Sequence, residues 1–254
     1  MPLTKHEYPI LEYDTENMAV LMPGRNTDSE LPSKCVYGFL GDFVDKFALE
    51  CNLDVIHKYR TMMKYISVYQ MVIDGKEIVL CSAPLGASAA TAVLDWLICH
   101  GVNEIIAIGG CGALINIPEN EMLIPTAAIR DEGTSYHYLP PAREIKLDEN
   151  AVNAIKQALD KLGIRNEYVK TWTTDGLFRE TKDMVNYRKS EGCSVVEMEC
   201  SALASCARFR NVTFGQILFT QDSLANVDMH DERNWGADSF DKAIAIALEA
   251  VCCL

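Results

Sequence analysis

The chain has 254 residues, is 49% hydrophobic and 23% charged, and carries a formal net charge of -13. This length suits one α/β domain spanning residues 1–254, with a core large enough to need neither disulfide nor metal. The composition excludes disorder, and 36 acidic against 23 basic residues leave no cationic surplus to displace counterions from a duplex, so no nucleic-acid partner is expected.

In chain order, residues 18–22 form a short apolar run stopped by Pro23 and Gly24, which reads as a strand and a turn. Residues 65–74 and 77–84 flank Gly75 as a hairpin. Residues 87–100 have helical spacing, and Gly101 follows as a C-terminal cap. Residues 104–108 are a buried strand that runs into Gly109-Gly110-Cys111-Gly112. A strand over 122–129, an amphipathic helix over 150–161 ended by Gly163, and a strand over 168–173 come next. A helix over 199–208, a strand over 213–220 and a last helix over 239–251 complete the series. Strands alternating with helices predict a largely parallel central sheet with helices around it. No apolar run reaches the roughly 18 residues that span a bilayer, so no membrane partner is expected. The first residues lack the apolar core of a signal peptide, and a cytoplasmic location follows as the expectation. Ten cysteines occur without a C-x-x-C pair and read as reduced, buried hydrophobes.

Ligands of such sheets bind at the carboxyl ends of strands. Five segments stand there. Gly24 with Arg25 is either an anion-binding turn or an ordinary one. The three glycines in 109–112 permit close approach of backbone to a ligand, or only tight packing. The polar block 130–138 is either a binding loop or a rim whose charges pair with each other. Glu197-Met198-Glu199 offers carboxylates to vicinal hydroxyls or to a helix N-terminus. Asp222, at the end of an apolar strand, is either a desolvated acid or a helix cap. No two of the five histidines have the spacing of helical metal ligands, and no metal is expected.

Together these segments resemble the nucleoside phosphorylase superfamily, which includes uridine phosphorylases, hexameric purine nucleoside phosphorylases and nucleosidases. The resemblance rests on Val196-Glu197-Met198-Glu199 with Ser201-Ala202-Leu203, on 124–130 with Gly133-Thr134-Ser135 and His137, and on Gly109, Gly112, Pro23-Gly24 and Thr173-Thr174-Asp175. It implies a single-domain, three-layer α/β/α fold with a central mixed sheet. It implies ribose binding by Glu197, Met198 and Glu199, with His6 reaching a neighbouring subunit's sugar. Phosphate would lie at Gly24, Arg25 and Gly110, with Lys64 donated across an interface. The base would lie against Leu177, Phe178 and Gly112, with Asp222 protonating it, so that Glu199 and Asp222 are the catalytic pair. Ala107 and Asp28 stand where relatives carry phosphate-binding arginines, with Arg25, Lys34 and Lys64 as the candidate replacements. Thr181 and Asp183 stand near the residues with which uridine phosphorylases read uracil. The implied reaction is phosphate-dependent cleavage of a purine-type nucleoside to base and ribose 1-phosphate. Hydrolysis and pyrimidine specificity are the alternatives, and a non-catalytic relative a remote one. Inorganic phosphate is the co-substrate, no cofactor is implied, and a homo-oligomer, dimer or hexamer, with shared sites is expected.

Overall fold

The computed structural model describes residues 3–24 and 30–254, and its ten strands join one mixed sheet. At the centre, β1 (Lys34–Phe39) lies between β4 (Lys76–Ser82) and β5 (Glu104–Ala113), parallel to both. Outside β4 lie β3 (Tyr65–Ile73) and the edge strand β2 (Asp54–Arg60), each antiparallel to its neighbour. On the other side, β5 pairs with β10 (Thr213–Ser223), and β6 (Met122–Asp131), β8 (Asn166–Thr174) and β9 (Val195–Glu197) lead back to β5. The sheet therefore closes on itself there. A short β7 (Glu144–Lys146) extends β6.

Side chains alternate across the central strands, as strand geometry requires. Val36, Ile106 and Ile108 face a layer built from α1 (Phe43–Glu50), α3 (Glu149–Lys161) and α6 (Phe240–Cys252). Cys35, Tyr37, Ile105 and Ala107 face α2 (Ala87–Cys99) and α5 (Cys200–Arg210). Each fully buried aliphatic side chain contributes roughly 1.5–3 kcal/mol. Two apolar cores, one on each face, make the three-layer α/β/α arrangement. α4 (Lys182–Ser190) follows β8, and its Val185 shares a small apolar cluster with Trp172 of β8 and Val196 of β9. Helix starts follow local chemistry: Asp148 accepts from the N–H groups of Asn150 and Ala151, and Thr181 accepts from Met184.

Four expectations change. Residues 18–22 form no strand; Met18 and Val20 are exposed, because this run has no sheet neighbour. The first strand is β1, whose apolar run is interrupted by Gly38, where a Cβ would come within 2.8 Å of Val44 Cγ2. The sheet is mixed, as the resemblance implied, rather than largely parallel as the alternation alone suggested, since the β2–β3, β3–β4, β5–β9, β6–β10 and β6–β7 pairs run antiparallel. The strand expected over 104–108 does not stop at the glycine block: β5 continues through it to Ala113.

Candidate active site

A cavity of about 210 Å³ opens at the carboxyl ends of β5, β9 and β10, beside Leu85 in the β4–α2 junction. It brings together Gly110, Gly112, Leu177, Glu197, Met198, Glu199 and Asp222, seven of the residues singled out by sequence. A larger cavity of about 580 Å³ lies between Leu21–Pro23, β2 and α2. Among the described residues its one acid, Asp95, is held by both Arg210 (2.7 and 3.0 Å) and the Tyr138 hydroxyl (3.1 Å), which offset its charge.

The two carboxylates after β9 have different surroundings. Glu197 is fully engaged. Its Oε1 accepts from the Thr171 and Thr173 hydroxyls, at 3.1 and 2.6 Å. Its Oε2 accepts from the backbone N–H groups of Glu199 and Cys200, at 2.7 and 2.6 Å. Glu197 thus caps α5 and ties it to β8 while still lining the cavity. Glu199 is also buried, yet less engaged: Oε1 accepts from the Gly86 N–H at 2.6 Å, and the Met198 backbone N–H also bears on the carboxyl. Burial, then the neighbouring Glu197, pushes the Glu199 carboxyl up to about 8. It is the acid still able to receive hydroxyl donors.

Asp222 is not a helix cap. It lies within β10, where the register against β5 shifts between Thr220 and Ser223. Bulges re-aim side chains, and this one presents Gln221 and Asp222 to the cavity. The chain then folds back, with Ser223 and Asp231 exchanging two backbone hydrogen bonds at 2.9 and 3.0 Å. That return places His230 Nε2 2.7 Å from Asp222 Oδ2. Glu180 joins the same end; burial, then nearby Asp222, pushes it up to about 7. Gln221 reaches the cavity through the bulge, Trp235 after the chain folds back, and Glu180 from the junction between a 3-10 turn and α4, so none of them carried a signal in the sequence.

The glycines of β5 are steric. A Cβ on Gly110 would lie 1.9 Å from the Gln221 carboxamide carbon, and one on Gly112 3.2 Å from Asp222 Oδ1. Gly110 therefore accommodates Gln221 and presents no open cradle for an anion. The remaining phosphate candidates lie elsewhere. Gly24 packs against Cys99 at the far end of α2, whereas the glycine that follows the first sheet strand is Gly41, at φ +56. Arg25 and Asp28 lie outside the described residues. Lys34 pairs with Glu104 at the amino end of β1, at 2.5 Å. Lys64 sits exposed in the β2–β3 turn, where its carbonyl accepts from Thr61. Among the described residues, no lysine or arginine lines the cavity.

Leu177 lines the cavity, but Phe178, next to it in a single 3-10 turn, is 95% exposed. His6 is exposed and accepts from the Tyr8 N–H; it does not line this chain's own cavity, which accords with the expectation that it serves a neighbouring subunit. The polar block 130–138 resolves as a rim: Arg130 donates to Ser135, Leu139 and Pro140 and holds its own loop.

The family model described as the Phosphorylase superfamily matches residues 35–252. Guanosine phosphorylase of Halorubrum lacusprofundi is 26% identical over 188 residues, covering 71% of this chain and 78% of that protein. The crystal structure of purine nucleoside phosphorylase from Toxoplasma gondii in complex with immucillin-H is similar at TM-score 0.73 and 17% identity, over 88% of this chain and 91% of that one. AMP nucleosidase from Bacteroides thetaiotaomicron gives 0.69 at 20% identity, over 87% and 88%. At these identities the two structures establish a common fold.

Proposed function

The chain belongs to the phosphorylase superfamily, and from that premise we propose that it cleaves the N-glycosidic bond of a purine-type nucleoside. One observation carries the reading: a single cavity is lined by both Glu199 and Asp222, and His230 meets the Asp222 carboxyl from outside that lining. Cleavage develops positive charge on the sugar and negative charge on the departing base, and rate comes from groups already placed for both. Glu199, with Met198 beside it, receives the ribose hydroxyls and faces the sugar cation. Asp222 delivers a proton or hydrogen bond to the base, with His230 fixing its carboxyl. No step needs a metal or organic cofactor.

The acceptor in this reading is phosphate, as in the guanosine and purine nucleoside phosphorylases that the chain resembles. Its charge would then be met by Lys64 of a second copy, reaching over from an exposed hairpin whose tip also exposes Met62 and Met63. This makes the enzyme a homo-oligomer with shared sites. A second reading, with water as acceptor, is favoured by the lack of a cation in the described lining and by Gln221 filling the space at Gly110. The sugar product separates them. Phosphorolysis gives ribose 1-phosphate in proportion to added phosphate. A single cationic contact is worth about 1.5–3 kcal/mol, so Lys64→Ala should raise the phosphate KM by roughly 10- to 150-fold. Free ribose, formed at a rate indifferent to phosphate and to Lys64→Ala, assigns the chain to the hydrolytic reading. Phosphate-dependent turnover by a species that sediments as a monomer overturns the shared arrangement.

A further inference from the structure

We infer that Glu180 is a specificity residue, selecting bases that present two adjacent N–H donors, as the guanine edge does with N1–H and the 2-amino group. The inference rests on the reading of this cavity as a nucleoside site and names the class of base it takes. Glu180 lines the cavity together with Asp222 and Leu177, and it also lines a smaller cavity beside it with His230 and Leu224. The charges it senses are those of Asp222 and His230, not Glu199, which puts it at the base end.

The structure gives Glu180 no local task. Thr181 caps α4, Asp183 supplies the acid of its first turn, and Lys182 pairs with Asp228 at 2.6 Å. Among the described residues, no hydrogen bond or ion pair reaches the Glu180 carboxyl. A half-buried acid with no protein partner is free to take donors from a ligand that displaces its water. Two parallel N–H donors match two carboxylate oxygens, a bidentate pairing that adds geometric selection to strength. Guanine offers both donors and hypoxanthine one. Adenine turns its N1 lone pair toward the second oxygen, which is repulsive. A site built for such donors discriminates against analogues lacking them, because its polar groups are left unpaired.

The test is calorimetric binding of guanosine, inosine and adenosine at pH 8, where Glu180 is ionised, to wild type and to the isosteric Glu180→Gln. Wild type should bind in the order guanosine, inosine, adenosine, with guanosine favoured over adenosine by about 10- to 150-fold. Glu180→Gln should remove most of that ratio by weakening guanosine and, with the repulsion of the adenine N1 lone pair relieved, tightening adenosine. Equal affinities in wild type, or equal losses for all three in the variant, overturn the inference. Selective binding without turnover of any of the three leaves this inference standing and overturns the cleavage reading. No binding of any of them overturns both.

Discussion

Replacing Glu199 by glutamine should lower kcat/KM by about 100-fold or more while the protein remains folded. The amide keeps the shape of the side chain, and its oxygen can still accept from the Gly86 N–H, now 2.6 Å from Oε1. What is lost is a negative charge beside the sugar. A charge-assisted hydrogen bond is worth about 1.5–3 kcal/mol, and an interaction that strengthens as the oxocarbenium forms is worth more. Glu199→Ala should be at least as inactive and somewhat less stable, since it leaves the Gly86 N–H without its acceptor.

A pH signature accompanies this loss. With the folded carboxyl at about 8 against an ordinary value near 4.5, the empty protein holds a proton that the unfolded chain releases. Stability therefore falls as pH rises from about 4.5 to 8. Hydroxyl donors favour the ionised form, so nucleoside binding expels the proton and tightens with pH up to about 8. Glu180, at about 7, adds to the stability slope, so the readout is the difference between wild type and Glu199→Gln in Tm and KM across pH 5–9. A variant with near wild-type kcat/KM, or with an unchanged pH slope, removes Glu199 from the sugar.

Where one segment determines both an element and its tip, the sequence was readable. Glu199 follows a short apolar strand and opens a helix, so its place in the cavity comes from local order alone. Asp222 ends the apolar run of β10, and only its bulge was hidden. Glu197 shows the limit. Its helix cap is one of the alternatives left open in sequence, but its bonds from Thr171 and Thr173 come from another strand. The placement of Gly24 shows the same limit. Pro23-Gly24 and Leu40-Gly41 both end apolar runs, and only pairing with β4 and β5 shows which run is in the sheet. Phe178 and Leu177 are neighbours that a 3-10 turn sends in different directions. Gln221 against Gly110 is a contact between strands that no motif encodes.

The base end carries the second large effect. Asp222→Asn should slow cleavage of purine nucleosides by roughly 10²- to 10⁴-fold, the range that general acid catalysis supplies. The asparagine preserves volume and can still meet His230 at the present 2.7 Å, so the bulge and the Ser223–Asp231 bridge should survive. It can offer a hydrogen bond to the base but cannot transfer a proton. A pyrimidine nucleoside has no N7 to receive one, so its slower cleavage should change little. The contrast isolates chemistry from folding, because a damaged cavity would penalise both substrates alike. His230→Ala provides the second arm. It removes the group that fixes the Asp222 carboxyl but leaves the acid, so its loss should be smaller than that of Asp222→Asn and again confined to purines. Equal losses on purine and pyrimidine substrates, or no loss on either, would make Asp222 and His230 a structural clamp on the β10 bulge and leave the leaving base without a proton donor from this chain.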